Sequence, residues 1–150
     1  MDLDKNAVFE DGNAAEQTMD GNTANVEFGQ FQGIFYVLPN TEEMKKANYT
    51  HVYITCTSSG SELKVSFLNK ETDGNGLEDP IDTYGRQENE YRVEVGAIEG
   101  AEKEETIHLT GDCVTNGLQI FNWNEAASLS IKSIILSEKE LSKEELAALK

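Results

Sequence analysis

Between Thr50 and Leu68 the chain alternates with period two, twice over. Val52, Ile54 and Cys56 fall on one side of an extended strand, and His51, Tyr53, Thr55 and Thr57 on the other. After the turn-forming Ser58-Ser59-Gly60-Ser61, Leu63, Val65 and Phe67 alternate with Lys64, Ser66 and Leu68. A helix cannot gather either apolar set onto one face, because its side chains repeat every 3.6 residues and not every two. The pair reads as an antiparallel hairpin with one buried face. The same pattern recurs at Asn25 to Leu38, where Gly29 and Gly33 predict a bulge or bend, and at Tyr91 to Val95. It recurs again at Thr106 to Thr110, Gly117 to Trp123 and Leu129 to Leu136, and Val8-Phe9 starts a further short strand. About eight short strands with turn signals every ~8–12 residues predict an all-β protein, an antiparallel β-sandwich. Two helical pieces interrupt this: one turn at Thr41 to Ala47, and a tail at Glu138 to Lys150. In the tail, Ser142 and Glu145 fit a capping box and Leu141, Leu146 and Leu149 form a narrow apolar stripe. The organisation expected is one sandwich module over residues 1–136 and a linker or short C-terminal helical tail over 137–150.

Charge removes several function classes. The formal net charge is −16, which opposes nucleic acid, anionic membranes and acidic polysaccharides, since those ligands need cationic side chains to offset their own charge. A neutral ligand meets no such repulsion. No apolar run is long enough to span a bilayer. The start, Met1-Asp2-Leu3-Asp4, has no leader character. That leaves a cytoplasmic protein or an internal piece of a longer secreted chain, and the linker-like ends favour the extracellular reading. Cys56 and Cys113 leave disulfide pairing open.

The candidate site lies on Gly117-Leu-Gln-Ile-Phe-Asn-Trp123. Leu118 and Ile120 point one way and suit a core. Gln119, Phe121 and Trp123 point the other way and set an amide beside two flat rings; Trp123 is the single tryptophan of the chain. A sugar ring offers C–H faces that stack on aromatics and an equator of hydroxyls that amides can hydrogen-bond. The competing reading makes Phe121 and Trp123 core, at the cost of an amide poorly satisfied among rings. Tyr53, on the polar side of its strand, extends the candidate platform or serves as a cross-strand partner. Tyr84 sits in the long 69–86 loop, where it closes over ligand or pins the loop. Gln32 joins the cleft if Phe31, Phe35 and Val37 are the buried set. For catalysis the acids lie mostly in turns and tail, with no paired carboxylates at a recognisable spacing. His51 and His108 lack a zinc-ligand pattern. No cofactor is expected.

Three stretches carry a family resemblance: Gly33-Ile-Phe-Tyr-Val-Leu-Pro39, Tyr49-Thr-His-Val-Tyr-Ile-Thr-Cys56, and Gly117-Leu-Gln-Ile-Phe-Asn-Trp-Asn124 leading into Leu129-Ser-Ile-Lys-Ser-Ile-Ile135. Their order resembles the jelly-roll carbohydrate-binding modules appended to bacterial plant-cell-wall hydrolases. Within these it is most similar to the β-glucan and xyloglucan binders of family sixty-five. The resemblance implies a non-catalytic monomer that holds a covalently linked glycoside hydrolase on a neutral β-glucan, and jelly-roll modules of this kind often carry a structural calcium near the N-terminus, for which Glu10, Asp11 and Asp20 offer oxygens. Gln119, Phe121 and Trp123 match the family's late binding strand. A second glutamine two or four residues beyond Gln119 is absent, and Tyr84 stands in the loop where the family has tryptophans. The alternatives carried forward are a small sandwich hydrolase or lyase and a protein-binding adhesion module.

Overall fold

The computed structural model describes residues 1–4, 14–38, 41–69, 91–114 and 117–149. In chain order the elements are β1 (Glu16–Asp20), β2 (Thr23–Phe28), β3 (Gln32–Val37), α1 (Glu42–Lys46), β4 (His51–Gly60) and β5 (Leu63–Asn69). Then follow β6 (Tyr91–Ile98), β7 (Glu105–Thr110), β8 (Gly117–Asn122), β9 (Ala127–Ser137) and α2 (Lys143–Leu149). The strands form two antiparallel sheets. One has five strands in the order β1-β2-β9-β4-β7, and the other four in the order β3-β8-β5-β6. The expected sandwich and the short C-terminal helix are both present. Ser142 and Glu145 cap α2 reciprocally: the Glu145 amide donates to Ser142 Oγ at 3.1 Å, and the Ser142 amide to Glu145 Oε1 at 3.3 Å.

The core forms where the alternating apolar sets of the two sheets meet. Val26, Phe28, Val52, Ile54, Leu129, Ile131 and Ile134 from the five-stranded sheet face Ile34, Tyr36, Leu63, Val65, Phe67, Leu118 and Ile120 from the other. Burying each large apolar side chain contributes roughly 1.5–3 kcal/mol, so this interior is the main source of stability. The polar exception is Tyr36, whose hydroxyl donates to Gln17 Oε1 at 2.7 Å; burial pushes its pKa well above the usual phenol value. Both cysteines are free thiols, and burial, then the nearby Glu105 charge, push the Cys56 thiol up to about 11.

Two expectations about connectivity are corrected. The strands at 50–57 and 63–68 do alternate as read, but they are not hydrogen-bonded partners: β4 pairs with β9 and β7, while β5 pairs with β6 and β8. The chain changes sheets at Gly60, which has φ +93° and lies so close to its neighbour that an added Cβ would sit 2.5 Å from the Ala126 carbonyl oxygen. Likewise Asn25 to Leu38 is not one bent strand. It is β2 in one sheet and β3 in the other, with the crossing at Gly29-Gln30-Phe31. Val8-Phe9 and the 70–86 part of the long loop lie outside the described residues.

Candidate aromatic binding site

Strand β8 sits between β3 and β5, with Gln32↔Asn122, Phe35↔Gln119 and Ser66↔Gln119 among its cross-strand partners. Its alternation runs as expected: Leu118 and Ile120 enter the core, and Gln119 and Phe121 point to the outer face of the four-stranded sheet. That outer face is nevertheless buried here. Gln119 is 2% exposed and Phe121 3%, with Phe121 in a second apolar cluster with Phe35 and Leu68. Neither side chain offers a surface to a ligand, which corrects the picture of Gln119, Phe121 and Trp123 as one open platform. Trp123, one residue beyond the strand, is 49% exposed.

Trp123 is paired with a ring whose side the sequence leaves undecided. Phe31 is also 49% exposed, and the two rings meet edge to face at 75° with centroids 6.3 Å apart. Phe121 lies beneath, 4.6 Å from the indole and tilted by 53°. The three rings form a graded stack in which Phe121 is foundation and Trp123 and Phe31 are surface. Edge-to-face pairs are the favoured aromatic geometry and add about 0.5–1.5 kcal/mol beyond area burial.

The backbone explains why the rings stay at the surface. The Phe31 amide donates to the Asn122 carbonyl at 2.8 Å, which extends the β3–β8 ladder by one step and brings residues 31 and 123 side by side. Phe31 has φ +61°, a left-handed conformation rare for a bulky residue. Gln32 falls on the core-facing alternation with Ile34 and Tyr36, not on the face of Gln119. Its Oε1 accepts the Gly29 amide at 2.7 Å and so closes the turn that carries Phe31. Gln32 supports the ring pair from behind; the condition for its joining the cleft, that Phe31, Phe35 and Val37 form the set facing the core, fails because β3 directs Ile34 and Tyr36 inward while Phe35 and Val37 lie on the outer face. Exposed Gln30, Asn124 and Glu125 flank the rings in sequence and supply polar groups around them.

Tyr53 lies elsewhere. Its strand, β4, belongs to the five-stranded sheet, so Tyr53 cannot extend a platform on β8. It is 4% exposed, stacks on His108 with centroids 4.3 Å apart at 4°, and its hydroxyl accepts the Leu141 amide at 2.8 Å. His51 Nδ1 and His108 Nε2 share a hydrogen bond of 2.9 Å beside it. This cluster anchors the segment leading into α2. Tyr53→Phe is expected to weaken that anchor by about 1 kcal/mol, the net worth of one hydrogen bond. Faster amide exchange at Leu141 with unchanged exchange in β8 is the readout. Tyr84, Glu10 and Asp11 lie outside the described residues, and Asp20 is exposed at the end of β1.

Sequence reasoning located Trp123 but missed Phe31. Two glycines flanking Phe31 made its side ambiguous, and a positive φ at phenylalanine has no sequence signature. The available signal was cross-strand position, which becomes visible once Gln32 and Asn122 are known to be partners.

No protein-family model matches the chain, and no curated protein matches it. Solved structures do. A variant of the family 29 carbohydrate-binding module CBM29-2 is similar with a TM-score of 0.58 at 9% identity, over 91% of this chain and 96% of that one. A second family 29 carbohydrate-binding module gives a TM-score of 0.53 at 11% identity, over 86% and 84%. A further CBM29-2 variant, complexed with mannohexaose, gives 0.51 at 9% identity, over 86% and 87%. The motifs gave an expectation of family sixty-five, whereas these similar structures are of family 29. At such identities the likeness is one of fold: this chain shares the two-sheet β-sandwich of those modules.

Proposed function

We propose that this chain is a non-catalytic carbohydrate-binding module, a jelly roll in topology, and that the exposed Phe31–Trp123 pair is its principal contact with a neutral polysaccharide. The observation that carries this reading is the ring pair itself: two large aromatics, each half-exposed, on loops between the sheets that the Phe31 amide joins by donating to the Asn122 carbonyl. The likeness in fold to carbohydrate-binding modules, one of them holding mannohexaose, supports it. The net charge of −16 favours a neutral ligand over a charged one. A β-glucan such as xyloglucan or mixed-linked glucan is the ligand the sequence motifs favour, and a mannan is the ligand the fold neighbour brings in. Because the two rings stand at 75° and not in one plane, they suit a single chain that presents a face to one ring and an edge to the other. In a secreted parent protein the module acts as a monomer that keeps a linked hydrolase near its substrate by raising effective concentration.

Affinity electrophoresis against xyloglucan, barley β-glucan, mannan and xylan tests this. At least one neutral polymer is expected to retard the protein, and retardation should persist between roughly 50 mM and 500 mM salt, because stacking on a neutral sugar is not screened as ion pairs are. Failure of every polymer to retard it, or release by salt, contradicts the proposal.

A further inference from the structure

We infer that Asn122 is the positioning residue of the ring pair: one buried amide ties together the two loops that carry Phe31 and Trp123 and holds Phe31 in its left-handed backbone. The inference rests on the reading of Phe31 and Trp123 as the ligand contact, and it adds the residue that sets their geometry. Asn122 is fully buried at 0% exposure although it is polar, and it immediately precedes Trp123. Its Nδ2 donates to the Gly29 carbonyl at 3.1 Å and to the Glu125 carbonyl at 2.6 Å. Its Oδ1 accepts the Asn124 amide at 3.2 Å. Its own carbonyl accepts the Phe31 amide. The side chain therefore spans from the turn before Phe31 to the turn after Trp123, and the backbone bond lies between.

The chemistry of the amide is specific to this task. It needs two N–H donors for two carbonyls and one oxygen for an amide donor, which only Asn or Gln provides. Aspartate has the same shape but no donor, so it would face the Gly29 and Glu125 carbonyls with oxygen against oxygen. A buried polar network in which every member is satisfied fixes one geometry, and one left partly unsatisfied loses it. Phe31 shows that the geometry is imposed. A bulky residue with φ +61° stays there only when its surroundings over-determine the backbone, and such strain gathers at binding sites. Here the surroundings are the hydrogen bonds that Asn122 makes on either side, together with the Gly29–Gln32 bonds that close the turn.

The test is a comparison of Phe31→Gly with Phe31→Ala in two backgrounds. Both variants delete the ring, but only glycine relieves the left-handed backbone, so the gap between their melting temperatures reports the strain. In the otherwise wild-type protein Phe31→Gly is expected to melt several degrees above Phe31→Ala. In the Asn122→Asp background the gap should narrow, because the turn keeps its Gly29–Gln32 bonds but loses its tie to Asn122. Fluorescence anisotropy of the single tryptophan should fall in Asn122→Asp well below the melting transition, and affinity for mannohexaose or cellohexaose should drop tenfold or more. If Asn122→Asp does not fold, Asn122→Ser, whose side chain is too short to reach both carbonyls, serves in its place. An undiminished Gly–Ala gap, or unchanged anisotropy, overturns the inference. Loss of hexaose binding in Trp123→Ala with none in Asn122→Asp also overturns it while leaving the ring-pair reading intact. Absence of hexaose binding in the wild-type protein bears on that reading alone, and the gap and the anisotropy still decide the role of Asn122.

Discussion

Trp123→Ala is expected to remove polysaccharide retardation almost completely while leaving the fold in place. The indole is half-exposed and lies beyond the end of β8, so its loss opens no interior cavity. Among the described residues its ring contacts are with Phe31 and Phe121, on the scale of about 1 kcal/mol. Its contribution to ligand is a stacked contact worth on the order of 1–3 kcal/mol. At about 1.4 kcal/mol per tenfold, that is a loss of roughly five- to 150-fold in affinity, enough to abolish binding by a module of moderate strength. Affinity electrophoresis and thermal melting on the same preparation separate the two effects. A variant that binds normally, or one that unfolds, contradicts the assignment.

Phe121→Ala should behave differently, although Phe121 lies only two residues before Trp123, within β8. Phe121 is buried with Phe35 and Leu68, so truncation leaves a cavity and costs about 3–5 kcal/mol of stability. For a domain of this size the melting temperature should fall by roughly 6–20 °C. Affinity should fall as well, because the indole loses the ring 4.6 Å beneath it. The diagnostic is the ratio: Trp123→Ala moves binding with little change in stability, whereas Phe121→Ala moves both. If Phe121→Ala lost affinity without losing stability, the outer face of the four-stranded sheet would have to be open to ligand after all.

These two residues also mark where the sequence was readable and where it was not. Period two told correctly which residues share a side of β4, β5 and β8: Val52, Ile54 and Leu63, Val65, Phe67 all reach the core, as do Leu118 and Ile120. It carried no information about which strand lies alongside. The segments at 50–57 and 63–68 look like a hairpin because a short turn joins them, yet the turn at Gly60 passes the chain from one sheet to the other. Alternation fails in another way on β8, where all six residues are buried. When both faces of a strand are covered, its polar side no longer marks the surface, and Gln119 is the residue that misled. Trp123 escaped this because it stands past the last ladder residue. Phe31 and Asn122 were not legible, since their roles come from a cross-strand neighbour and from a turn conformation, neither of which has a pattern within one segment.

The measurement that bears most directly on the central claim is acrylamide quenching of the single tryptophan as polysaccharide is added. Since Trp123 supplies all indole emission, the signal reports that one side chain. Free protein should be readily quenched, and saturation with the polymer that retards it in gels should protect the indole and shift its emission to the blue. Full quenching with the polymer demonstrably bound would contradict the account, because the ligand would then be held without covering Trp123.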